Sequence, residues 1–262
     1  MLGAECMQVF LHAPQRWGQP RHTDEEVEGF VSQAQAFGIG PNFAHARYVI
    51  NLASADTSIR QRSIEALATC ATWAERCRLD GVVLHVGSGR GQPVDEAERQ
   101  VAGALQQLFH RGGAVPILLE NSAGSGSTLG SQFNQIGALF DRLDRHPRLG
   151  MCLDTAHAFA SGYDLRANDG LVQVLAEIKR HVGLDRLRVI HANDSKVGLG
   201  SAVDRHENIG LGLLGNEALR RMLTHPALAD LPWVLEVPGF DNKGPDEPNV
   251  RALKRLAGRR GF

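Results

Sequence analysis

Two periods of apolar and polar residues alternate along this chain. Short, nearly continuous apolar runs stand at 7–12, 42–46, 82–86, 115–119, 151–153, 187–190 and 233–235. Runs of this length, bounded by turn residues, predict strands buried on both faces. Between them lie stretches with helical spacing, at 23–37, 58–79, 94–109, 131–143, 171–181, 217–223 and 247–256. The first is well marked: Thr23 suits an N-cap, Asp24, Glu25 and Glu26 suit a first turn, and Val27, Phe30, Val31 and Ala34 share one face. In the second, Ile59, Ile64, Leu67, Ala71 and Ala74 make an approximate apolar stripe.

Strand-helix alternation without a linker or a low-complexity segment predicts a parallel sheet covered by helices, in one domain spanning 1–262. Units of roughly 35 residues suit a (β/α) barrel, whose site lies at the C-terminal ends of the strands. Seven units are countable where a closed (β/α)8 TIM barrel has eight. The expectation is therefore an α/β barrel lacking its first strand and helix, with the strands at 7–12 and 233–235 facing the gap. A longer natural N-terminus is the favoured explanation, and a tolerated open barrel the other.

Composition narrows the function classes. The formal net charge is -1, so no global basic field holds nucleic acid by charge alone, although bound cations can supply a local one. The four cysteines, Cys6, Cys70, Cys77 and Cys152, form no CxxC pair and read as reduced thiols of a cytoplasmic protein. No run is apolar and long enough to span a membrane, and the N-terminus has no signal-peptide pattern. The glycine-rich loops at 87–91 and 122–130 lack the GK[ST] of a phosphate-binding loop.

The 11 histidines are unevenly placed. Six of the seven predicted strands end on or beside a metal-ligand type: His45, His85, Glu120, Asp154, His191 and Glu236. In a barrel those ends converge on one rim. His157 follows Asp154 at a spacing that faces the same cleft. Asp204 and His206 are one residue apart, so in extended backbone both point the same way. Each residue has an ordinary alternative: a hydrogen-bonded rim histidine, a carboxylate paired with arginine, a helix cap at Asp154, a solvated loop at 204–206. Their recurrence at strand ends outweighs those alternatives taken together. Nine ligands exceed the usual four of one zinc, and if all bind, with bridging carboxylates, three ions is the natural count. The remaining histidines, His12, His22, His110, His146, His181 and His225, read as solvated.

These residues lie in the segments 119–124 (LENSAG), 153–159 (LDTAHAF) with 162–164 (GYD), 191–196 (HANDSK) and 203–206 (VDRH). In that order they resemble the endonuclease IV family of apurinic/apyrimidinic (AP) endonucleases, from about residue 4 onward. The resemblance implies a trinuclear zinc barrel, with manganese as a substitute at some sites. Such an enzyme cuts the phosphodiester 5′ to an abasic site in double-stranded DNA, leaving a 3′-hydroxyl and a 5′-deoxyribose phosphate, in base excision repair. It places one zinc on His45, His85 and Glu120, a second on Glu120, Asp154, His191 and Glu236, and a third on His157, Asp204 and His206. Glu120, Asp154 and Glu236 would be the catalytic carboxylates. Gln15 or Arg16, with Tyr48 and Val49, would open the strand so that the abasic sugar turns out. The chain would act as a monomer, with the nucleoid as its place of work.

Departures from the family pattern stand out, the largest at the N-terminus, where family members begin with one further strand and helix before the segment matching 4–17. Ala156 replaces a common Cys, and Val86 a common Pro. Leu211 sits between Gly210 and Gly212, where an acidic residue is frequent. Two other readings differ in class: a metal-dependent sugar isomerase or epimerase on the related barrel, in which Asp204 and His206 would be surplus, and an inactive truncated barrel that only binds lesions.

Overall fold

The computed structural model describes residues 2–258. Seven parallel strands form one sheet in the order β1 (Met7–Val9), β2 (Asn42–His45), β3 (Gly81–His85), β4 (Ile117–Glu120), β5 (Leu149–Asp154), β6 (Leu187–His191) and β9 (Trp233–Val234). Two short strands, β7 (Asp194–Ser195) and β8 (His206–Glu207), make a separate antiparallel pair. Helices α1 (Asp24–Ala36), α2 (Thr57–Arg76), α3 (Val94–His110), α4 (Phe133–Arg142), α6 (Gly170–His181), α7 (Gly215–Leu223) and α8 (Glu247–Leu256) alternate with the main strands. This is the α/β, TIM-barrel-type architecture that the alternation predicts, nearly closed on seven strands.

The sheet has two apolar layers because its strands are buried on both faces. Outward residues such as Val82, Leu84, Ile117, Leu119, Met151, Leu153 and Ile190 pack beneath the helices. Inward, Phe43, Val83, Leu118, Cys152, Val189 and Val234 form a separate core, joined by half-buried Cys6. Strand side chains alternate with period two. The residues two places beyond these inner positions therefore face inward one layer higher. They are His45, His85, Glu120, Asp154, His191, Glu236 and, on β1, Gln8. The strand that folds the barrel thus also delivers its ring of polar groups.

Local chemistry moves several boundaries. The run at 7–12 stays extended only to Val9. The run at 115–119 starts its ladder at Ile117, since Pro116 has no N–H to donate. The turn expected after Asp154 is a helix, α5 (Thr155–Ala160), because the Asp154 carboxylate accepts the His157 backbone N–H at 2.7 Å and caps it. The stretch expected as one long loop, 195–215, carries the β7–β8 pair. There the buried Asp194 carboxylate accepts backbone N–H groups of Gly210, Gly212, Leu214 and Gly215 at 3.0–3.1 Å. A Cβ at Gly212 would lie 2.4 Å from that carboxylate, so the glycine is needed there.

No backbone ladder joins β1 to β9 among the described residues. Side chains cross the seam instead: the Cys6 thiol donates to the Trp233 carbonyl at 3.4 Å, and the Gln8 amide donates to Glu236 at 2.7 Å. The absent ladder agrees with the open seam that seven strands predict, while β1 and Trp233 are half-buried and Val234 is buried. His12, expected at the solvated surface, is buried beside Arg47 and His22.

Two substitutions test this packing. Gly137 on α4 lies against α6, where an added Cβ would sit 2.8 Å from both the Cβ and the carbonyl oxygen of His181. Helix propensity alone favours alanine by ~1 kcal/mol, but overpacking against backbone costs about 1–3 kcal/mol. Gly137→Ala should therefore lower the melting temperature, and a rise would refute the close approach. Burial, then the charges of Arg47 and His22, hold His12 down at about 4, from the ordinary 6.5. The fold accepts only the neutral ring, so its contribution is intact above pH 6.5 and is lost as pH falls from 6.5 through 4. His12→Asn should flatten the stability profile across that window; an unchanged slope would remove His12 from the acid response.

Candidate metal centre

The inward ring at the C-terminal strand ends brings together all nine ligand-type residues picked out from the sequence. Parallel register sets His85 opposite Glu120 and Asp154 opposite His191. The Glu120 carboxylate is at the middle. Its Oε2 lies 3.3 Å from His45 Nε2 and 3.1 Å from His85 Nε2, and its Oε1 lies 3.1 Å from His191 Nδ1 and 3.3 Å from His157 Nδ1. Glu236 Oε2 stands 3.0 Å from His191 Nδ1. Asp204, half-exposed, reaches His157 Nε2 at 3.2 Å and His206 Nε2 at 3.3 Å.

Three groups have ligand atoms close enough to share an ion, within 4.8 Å of one another: His45, His85 and Glu120; Glu120, Asp154, His191 and Glu236; and Asp154, His157 and His206. The third differs from expectation in including Asp154, with Asp204 contacting both of its histidines.

Two features of these side chains fit divalent cations. First, histidine rings here are anchored by one nitrogen and turn the other to the carboxylates. His45 Nδ1 bonds the Ala46 carbonyl at 2.6 Å, His206 Nδ1 the Glu236 carbonyl at 3.3 Å, and His191 Nε2 the Gln8 amide oxygen at 2.9 Å. Such outer bonds fix the tautomer of a ligating imidazole. Second, the four carboxylates of Glu120, Asp154, Asp204 and Glu236 have ion-pair contacts with histidine alone among the described residues. Gathering that much negative charge, with Glu120 and Asp154 fully buried, is costly without compensating cations.

The field of the cluster overrides burial. Burial pushes the Glu120 carboxyl up, but His85 and His191 reverse the sign and hold it well below the usual range. Glu236 is likewise brought to about 2, burial being outweighed by His191, and Asp204 to about 2, burial being outweighed by His157. Burial disfavours charge on His157, yet Asp154, Asp204 and Glu120 raise it well above 6.5. The same carboxylates that favour imidazolium favour a metal cation.

Residues that the strand-end pattern misses hold this arrangement. Asn121 donates to the Asp154 carbonyl at 3.0 Å and accepts the Asp154 N–H at 2.7 Å. Asn193 donates to Asp154 Oδ2 at 2.6 Å and accepts the Glu236 N–H at 2.9 Å. Their only sequence signal is position: Asn121 directly follows Glu120, and Asn193 lies two beyond His191.

Of the expected strand-opening residues, Tyr48 lies against the ring. Gln15 and Arg16 are exposed in a turn after β1, and Val49 is half-buried. The Tyr48 N–H donates to the Pro14 carbonyl at 3.0 Å, tying the two segments together. Tyr48 is half-exposed, and its ring packs on His45 and His85 with centroids 5.3 and 5.6 Å away. Phe10, not singled out from sequence, touches both Tyr48 and His45 and is also partly exposed.

Comparison with known proteins places this site in a family. Residues 1–257 match the family described as xylose isomerase-like TIM barrel. The probable endonuclease 4 of Methanoculleus marisnigri is 39% identical over 98% of this chain and 91% of its own. That of Chloroflexus aggregans is 37% identical over 97% and 90%. The crystal structure of endonuclease IV from Thermus thermophilus superposes with a TM-score of 0.86 at 33% identity, covering 99% of this chain and 91% of that one. A D-tagatose 3-epimerase-like protein shares the fold at a TM-score of 0.72 and 18% identity, over 97% and 88% of the two chains. With relatives 39% and 37% identical over nearly their full length, and the same barrel beneath the site, the chain belongs to the endonuclease IV family of xylose isomerase-like TIM barrels.

Proposed function

We propose that this protein is a zinc-dependent AP endonuclease, which hydrolyses the phosphodiester 5′ to an abasic site in double-stranded DNA. The products are a 3′-hydroxyl and a 5′-deoxyribose phosphate. The observation that carries this reading is the ring of carboxylates and imidazoles around buried Glu120 and Asp154, its negative charge answered by no arginine or lysine among the described residues.

His45, His85 and Glu120 would hold one zinc. Glu120, Asp154, His191 and Glu236 would hold a second, and His157, Asp204 and His206 a third, with manganese a substitute at these N/O sites. When bound, the ions supply the Lewis acidity and positive charge that in-line displacement at phosphorus needs. Glu120, Asp154 and Glu236 orient the centre; hydrogen bonds from Asn193 and Gln8 hold the Asp154 and Glu236 carboxylates, and Asn121 holds the Asp154 backbone. Gln15, Arg16, Tyr48 and Val49 form the surface that opens the strand. Extrusion is cheapest where the base is already missing, which favours abasic DNA over intact DNA. Since one chain supplies every ligand, the working unit is taken as a monomer, acting in the cytoplasm and on nucleoid DNA. The related-barrel alternative, a sugar isomerase or epimerase, leaves the His157, Asp204 and His206 group without a task.

Elemental analysis of the purified protein should give about three zinc per chain. Prolonged chelation should abolish incision of an abasic duplex, and added zinc restore it. One zinc or none, or sugar epimerisation without incision, would refute the reading. Glu236→Gln should preserve duplex binding and lower turnover by roughly 10²-fold or more; near-normal turnover would take Glu236 out of the site. Tyr48→Ala should weaken binding to abasic duplex more than to undamaged duplex, since a wedge gains only where the strand opens. Equal loss on both would make Tyr48 a packing residue.

A further inference from the structure

Gln8 occupies the β1 position of the inward ring, two residues beyond Cys6 of the inner core and beside Phe43 in the ladder, with its side chain reaching the ligand-type residues across the seam. It is the one member of that ring that is neither an acid nor a histidine. Its carboxamide touches two of the others at once. Nε2 donates to Glu236 Oε1 at 2.7 Å, and Oε1 faces His191 Nε2 at 2.9 Å.

From this bridge we infer that Gln8 is a positioning residue, which fixes the His191 tautomer and the Glu236 rotamer so that both present their inner atoms to one ion. The inference rests on the proposed metal centre. Its logic is a chain of donor and acceptor capacity. An ionised carboxylate only accepts, so Glu236 turns the NH2 end of Gln8 toward itself. The amide oxygen must then face His191. An amide oxygen only accepts, so His191 Nε2 carries a proton. The Nδ1 lone pair is left to the cluster, where it lies 3.0 Å from Glu236 Oε2 and 3.1 Å from Glu120 Oε1. His45 and His206 are anchored through Nδ1 on backbone carbonyls, so their ligating nitrogen is Nε2. His191 uses the opposite nitrogen, and a side chain replaces the backbone carbonyl as its anchor. Gln8 also crosses the seam where β1 and β9 share no ladder. It therefore joins the first strand of the sheet to two residues at the far end.

The test compares wild type with Gln8→Met, which keeps length and loses both hydrogen bonds, and Gln8→Asn, which keeps the amide but falls a methylene short. Three quantities are read: the rate of zinc release to a chelator, kcat and KM on an abasic duplex, and the melting temperature of the chelated protein. Both variants should release zinc roughly 10- to 100-fold faster, as is usual when an outer partner of a metal ligand is lost. In both, kcat should fall, KM should stay within about twofold, and the chelated protein should melt near wild type. If Gln8 only fills space, Gln8→Met will release zinc at the wild-type rate, and the assignment is wrong. It is also wrong if the chelated variants lose as much thermal stability as the loaded ones. A wild type that binds no zinc would overturn the metal reading first, and the Gln8 assignment with it.

Discussion

The structure turns on one buried carboxylate. Glu120 ends β4 at the middle of the barrel mouth and is met by histidines from β2, β3, α5 and β6. An isolated carboxylate there would face a prohibitive desolvation cost. Surrounded by imidazoles, it stays ionised despite complete burial. That pairing requires strands β2 to β6 to arrive in register, because a slip of one residue turns the whole set outward. The inner apolar layer below enforces the register. Phe43, Val83, Leu118, Cys152 and Val189 fit only if His45, His85, Glu120, Asp154 and His191 stand above them. Fold and site thus share one constraint.

Hydrogen bonds behind the ring convert that convergence into defined geometry. Asn193 and Gln8, together with the carbonyls of Ala46, Asn121 and Glu236, take the hydrogen-bonding capacity that would otherwise let rings and carboxylates turn. Asp194 does the same at a distance. By gathering four backbone N–H groups it holds the loop that follows Asp204 and His206. Leu211 then needs no charge of its own: its side chain is exposed, and the loop is set by the glycines and Asp194.

Much of this was legible in the sequence, because period two is visible there. Apolar runs ending in His, Glu or Asp mark both the strands and the convergence of six residues, spacing adds His157, Asp204 and His206, and all nine lie in the cluster. Less legible was whatever depends on a residue's partner across the fold. Gln8 is an ordinary polar residue within an apolar run until Glu236 and His191 are seen beside it. His12 looks like a loop histidine until Arg47 covers it. The helix after Asp154 was hidden because six residues are too few to show a period. The β7–β8 pair was hidden because two-residue strands carry no pattern. Strand count predicts the seam, and β1 and β9 indeed share no ladder among the described residues; that the side chains of Cys6 and Gln8 cross it is not visible in the sequence.

The central claim is that these side chains hold a cluster of divalent cations around Glu120. Anomalous diffraction at the zinc absorption edge, from crystals of the zinc-loaded protein, tests it most directly. The account predicts three anomalous peaks, each about 2.0–2.2 Å from its ligand atoms. Glu120 should touch two of them, and His191 should bind through Nδ1. A single peak, or peaks that leave Glu120 without a metal contact, would contradict it.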